Sequence, residues 1–227
     1  MDRADSALFL NIYDHLNPVW VTEAQSWANE PIRRIHHSAS SINGKVWLIG
    51  GEKDDGSDIG LSDHFVFDPN APSFTQLPST NGPSDLYGHA SIALPNGLIL
   101  VFGGYCQSLN IFVPFSTIWV IDTTQSDLTW VTWSASNTSI PFPRREFAAV
   151  LLDDGKVLIH GGIDVQTVYS DGWVLDTTQN PMVWTPVEVM SELGPRYDHF
   201  AVVVGSQVVF GWGRSPYFHE FSQSSWV

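Results

Sequence analysis

The sequence predicts an all-β fold, a β-propeller built from four-stranded antiparallel blades, with about four to five blades present and the ring expected to be incomplete. Three observations carry this. Four apolar runs end in a glycine signature: GKVWLIGG, NGLILVFGG, GKVLIHGG and SQVVFGWG. Their last glycines, Gly51, Gly104, Gly162 and Gly213, stand 53, 58 and 51 residues apart. A period near 50 is the spacing of small sheets stacked in a radial array. A tight-turn signal precedes each run, including Asn43-Gly44 and Asp154-Gly155. Such pairs supply the positive φ that hairpins require.

Each repeat resolves into four strands. The first is short and apolar, at residues 38–42, 90–94, 148–152 and 200–204. The second is the glycine-terminated run, apolar on both faces as a sandwiched strand should be. The third, at 64–68, 118–122 and 172–176, ends on an Asp that opens a side-chain-capped turn. The fourth carries an aromatic plug, Phe74, Trp130 or Trp184, with Trp20 at the same place in an earlier unit. The chain then reads as one propeller region over 1–227. It comprises a half blade at 8–22, full blades at 33–77, 85–133 and 144–186, and a nearly complete blade at 195–227. Open edges at both ends are the favoured arrangement. Closure of four blades, with the leading half completing the last, is the alternative.

Composition narrows function by exclusion. Net charge is −14 and lysine occurs only at Lys45, Lys53 and Lys156, so nucleic acid is not an expected partner. No apolar stretch of about 18 residues exists, so direct membrane insertion of this chain is not expected. Cys106 stands alone, which removes intramolecular disulfides and cysteine-based metal clusters. The N-terminal residues lack the basic-then-apolar plan of a signal peptide. Asn137-Thr138-Ser139 is a glycosylation sequon and Asn137 a candidate acceptor.

The glycine pairs (Gly50 and Gly51, Gly103 and Gly104, Gly161 and Gly162, with Trp212 before Gly213), the downstream aromatic and the Asp-Thr-Thr turns resemble the kelch repeat. Pro143-Arg144-Arg145-Glu146-Phe147 and Pro195-Arg196-Tyr197-Asp198-His199 fit that family's Pro-Arg entry into the first strand. More narrowly, the chain resembles fungal kelch propellers in the superfamily of the galactose oxidase central domain. That resemblance implies a secreted or cell-surface setting for a longer parent. It also implies a rival function, copper-dependent oxidation of a carbohydrate alcohol, for which Cys106, Tyr105 and Tyr169 supply ingredients without matching a motif.

The sequence favours a non-catalytic scaffold that binds a protein or glycan through its inter-blade loops and its loops between second and third strands. No cofactor and no metal is expected, and a truncated, inactive propeller is a further alternative. Two readings of the arginines stay open: pairing with aspartates of an adjacent blade, or a cluster for a carboxylate-bearing ligand. Arg34, Arg145 and Arg196 are the expected polar contacts, with Phe112 and Phe115 as apolar anchors in the loop 105–117. His36, His89 and His199, with Phe147, read as one repeated position that caps the first strand, and His37 and His160 as isolated departures. The acidic loop 52–58 reads as solvated, because it lacks the alternating spacing of a calcium loop.

Overall fold

The computed structural model describes residues 13–20, 29–136 and 138–216. Three four-stranded antiparallel blades follow one another, each in the order first-second-third-fourth. The first blade holds Ser38–Ile42, Lys45–Ile49, His64–Asp68 and Ser73–Gln76. The second holds Ala90–Ala93, Leu98–Phe102, Thr117–Asp122 and Trp130–Ser134. The third holds Ala148–Leu151, Val157–His160, Gly172–Asp176 and Val183–Val187. Of the fourth, Phe200–Val204 pairs with Gln207–Gly211. First strands of successive blades lie side by side around the axis. The described residues do not close a ring. Ahead of the blades, Tyr13–Asp14 pairs with Val19–Trp20. The Trp20 side chain, Asn137 and residues 217–227 lie outside what is described.

The seams between blades are the core. Between the first and second blades Trp47, Ile49, Ile99, Val101 and Trp130 pack together. Between the second and third, Phe102, Phe115, Phe147, Ile159 and Trp184 do so. The tryptophan plugs bury a large apolar area and find a partner for their one polar atom. Trp130 Nε1 donates to the Pro78 carbonyl at 2.8 Å, and Trp184 Nε1 to that of Phe115 at 2.9 Å. Phe74 fills the equivalent place in the first blade against Phe65 and Phe67.

The second glycine of each pair has one repeated cause. A Cβ on Gly51, Gly104, Gly162 or Gly213 would stand 2.6–2.9 Å from the Cβ of His37, His89, Phe147 or His199. Its N–H reaches the next blade: Gly51, Gly104 and Gly162 donate to the carbonyls of Leu86, Arg144 and Arg196 at 2.8–2.9 Å. The first glycine answers to the next blade as well. A Cβ on Gly50 would meet the Leu86 carbonyl at 2.5 Å, and one on Gly103 the Phe147 ring at 2.6 Å. Trp212 occupies that position in the fourth blade, where it is 55% exposed. A side chain is accommodated there because no described blade packs over it.

Those contacts correct the histidine register. The repeated position is His37, His89, Phe147 and His199; His36 falls one residue earlier, beside Gly88, Glu146 and Asp198. His89 Nε2 lies 2.7 Å from Ser38 Oγ, and His199 Nε2 lies 3.0 Å from His160 Nδ1, so each reaches back to a side chain of the preceding blade. Phe147 does the same through Phe102. Burial holds His89 and His199 neutral, lowering both to about 3, and lowers His160 and His64 to about 4.

Candidate functional site

Antiparallel blades place the starts of first strands, the ends of second strands and the loops that follow them on one face. The arginines expected to line it divide sharply. Arg34 is a correction: its side chain is fully buried, forked onto Asp63 with Nη1–Oδ1 at 2.8 Å and Nη2–Oδ2 at 3.1 Å. Its Nη1 also donates to the Gly50 carbonyl at 2.9 Å. Arg144 repeats this on Asp171 and the Gly161 carbonyl, with Tyr169 stacked 3.5 Å from its Cζ. The aspartates belong to the same blade as the arginine, at the entry to its third strand, and not to an adjacent one. Arg196 is a correction too, since it is 7% exposed and donates to the Leu193 carbonyl. The Arg34 and Arg144 guanidiniums clamp the second and third strands of their blades, a bidentate use that lysine would not reproduce.

Arg145 is different. It keeps 31% of its side chain exposed, bonds Glu146 Oε1 at 2.6 Å, and lies 5.5 Å above the Tyr87 ring. Glu146 sits at the axis. There the repeated position His36, Gly88, Glu146, Asp198 forms a chain of backbone bonds across four blades: Gly88 to His36, Glu146 to Gly88 and Asp198 to Glu146, at 2.7–3.0 Å. Burial raises the Glu146 carboxyl above its ordinary value; Arg145 opposes this and the Asp198 charge adds to it.

The loop 105–117 folds back on itself. Tyr105–Cys106 pairs with Ile111–Phe112 on one side and Leu86–Tyr87 on the other. This hairpin turns Phe112 to the surface and sends Phe115 inward. Phe115 is therefore a correction: it is fully buried against Phe102, Phe147 and Trp184. Phe112 is half-buried and stacks edge-on to Tyr105 at 5.0 Å. It lines a groove of about 540 Å³ between this hairpin and residues 163–169 of the third blade, with Ile111, Pro143, Asp164 and Val165 among the walls. Val165 is 83% exposed and Ile111 44%. Asp164 is held rigid, accepting from Tyr169 Oη at 2.6 Å and from the N–H groups of Gln166 and Thr167. Cys106 is buried with Sγ on the Ser84 carbonyl, and the Tyr105 hydroxyl is bonded to Asn110. Of the residues suggested for copper chemistry, Cys106 and Tyr105 are engaged within the hairpin, and Tyr169 lies apart from them on Asp164 and Arg144.

Sequence reasoning had missed the groove's far wall and the axial position. The former lies in a loop between second and third strands, the class of loop expected to bind, but none of residues 163–169 carried a pattern that singled it out. The latter was visible as a fixed offset of two residues before the start of each first strand, counted from His37, His89, Phe147 and His199 back by one.

A family model for the KLHDC2/KLHL20/DRC7 Kelch-repeats domain matches residues 6–215. The chain belongs to the kelch-repeat family. It is 28% identical over 202 residues to Adagio-like protein 1 of Oryza sativa subsp. japonica, covering 84% of this chain and 30% of that protein. It is 27% identical over 149 residues to Kelch domain-containing protein 9 of Mus musculus, covering 63% of this chain and 40% of that one. The solved structure of YjhT aligns with TM-score 0.64 and 17% identity, over 79% of this chain and 59% of the other, which is a likeness of fold. The chain spans a third or less of the adagio proteins it matches. Kelch membership implies a protein-interaction scaffold. Among the described residues no helix is long and apolar enough to cross a membrane.

Proposed function

We propose that this kelch scaffold binds a segment of a partner protein in the groove between the 105–117 hairpin and residues 163–169. Phe112 is the anchor and Arg145 a polar contact toward the axis. The observation that carries this reading is the aliphatic and aromatic wall of Ile111, Phe112 and Val165, exposed at the mouth of a groove whose acid, Asp164, is already fixed in place. Interface energy concentrates in such partly enclosed aromatic positions. An apolar wall suits a peptide side chain better than a sugar ring, so a protein is favoured over a glycan.

Selection of binding peptides from a displayed random library tests this. Peptides recovered on the native chain should lose at least tenfold in affinity with Phe112→Ala and with Val165→Asp, neither of which disturbs the core. Full binding by both variants would overturn the groove as the site. Loss with Asn43→Ala on the opposite face would move the site there.

A further inference from the structure

We propose that the axial position is a site for a divalent metal ion of the zinc type, held by His36, Glu146 and Asp198. This goes beyond the groove and does not rest on it. One ligand atom from each residue lies within 4.8 Å of the others, and each comes from a different blade. Ligands of a zinc ion at about 2.0–2.2 Å stand roughly 3.5 Å apart, so small side-chain rotations bring these three together. One imidazole with two carboxylates suits zinc better than calcium or magnesium, which take oxygen alone.

A further observation lies outside the three ligands. Glu52, 6% exposed, holds His36 Nδ1 at 2.6 Å through Oε1. A carboxylate on Nδ1 fixes the imidazole so that its Nε2 lone pair is presented, the arrangement that orients metal-binding histidines. The charge balance agrees. Arg145 takes Glu146 Oε1 at 2.6 Å and Arg214 Nε lies 3.6 Å from Asp198 Oδ2, which leaves Glu146 Oε2 and Asp198 Oδ1 outside those two contacts. Two guanidiniums face three carboxylates, so a negative excess remains to attract a cation. The backbone adds to the case. His36, Glu146 and Asp198 hold φ of 51°, 57° and 54°, where the second blade uses Gly88. Side chains are kept at three places where glycine would sit without strain.

Titration of the chelator-treated chain with zinc chloride, followed by calorimetry, tests this. One equivalent should bind saturably, with affinity weakened at least tenfold by Asp198→Asn and by His36→Asn, substitutions that tolerate the left-handed backbone. Glu52→Gln should weaken it about 10- to 100-fold through the orientation of His36. Asp154→Asn, in the turn between the first two strands of the third blade, should leave it unchanged. Absence of a saturable equivalent, or unchanged affinity in both ligand variants, would overturn the site. Should a variant fail to fold, histidine ring ¹⁵N resonances of the native chain decide. Zinc should shift His36, and a shift confined to other histidines would refute the assignment.

Discussion

The seam between the second and third blades and the seam between the third and fourth are built on the same repeat positions with different chemistry. In the former, Phe102 and Phe147 stack with centroids 6.0 Å apart, sealed by Phe115 and Trp184. In the latter the same two positions are His160 and His199, bonded ring to ring at 3.0 Å beside Phe210. The first seam is insensitive to protons and depends on volume. The second is buried but ionisable. Beyond it, the fourth blade exposes Phe200, Val202 and Val204 at 41–57%, whereas Ala90, Ile92 and Leu94 at the matching places are below 10%. These two seams hold a Phe pair and a His pair at the same positions, and the residue choice determines what conditions open each.

Trp184→Ala should have the largest effect on this contrast. It empties the sealed seam, removes the N–H bond to Phe115, and should cost about 3–5 kcal/mol in denaturant unfolding. A loss below about 1 kcal/mol would mean that the seam is not close-packed.

The next effect is acid sensitivity. His160 and His199 titrate in the folded chain at about 4 and about 3, below the ordinary value near 6.5 that the unfolded chain retains. Between those values the unfolded state binds more protons, so stability falls as pH drops below about 6.5 and the loss levels off once pH passes the folded values. His64 and His89 contribute in the same direction. The double variant His160→Phe and His199→Phe, which imitates the sealed seam, should flatten the thermal-melt profile between pH 6.5 and 4. An unchanged slope would show that this histidine pair is not the sensitive element.

Trp212→Ser should have the smallest effect, within about 0.5 kcal/mol, since the side chain is mostly exposed. Gly161→Ser, at the equivalent position under the next blade, should be far more damaging because its Cβ would meet the Arg196 carbonyl at 2.4 Å. Equal effects of the two would contradict the packing account of the glycine pair.

Much of the fold was legible because repetition averages out local ambiguity. Four copies fix the glycine runs, the turns and the aromatic plugs even though a single copy is weak. The site was less legible, for reasons specific to each residue. Arg34 and Arg144 reach aspartates 29 and 27 residues away across a variable loop, a pairing that strand patterning does not encode. Phe112 and Phe115 look alike in sequence, and the hairpin pairing of Tyr105–Cys106 with Ile111–Phe112 separates them into surface and core. The histidine register slipped by one because two adjacent histidines, His36 and His37, offer equal matches. The positive φ at the earlier residue, invisible in the letters, decides between them.

The central claim is that recognition sits on the groove and the buried arginines serve the fold. Amide shift mapping of the ¹⁵N-labelled chain with a library-selected peptide tests it most directly. The account predicts perturbations concentrated at Ile111, Phe112, Val165 and Thr167, with Arg145 at the margin. Shifts centred instead on the opposite turns, around Asn43, Thr123 and Thr177, would contradict it.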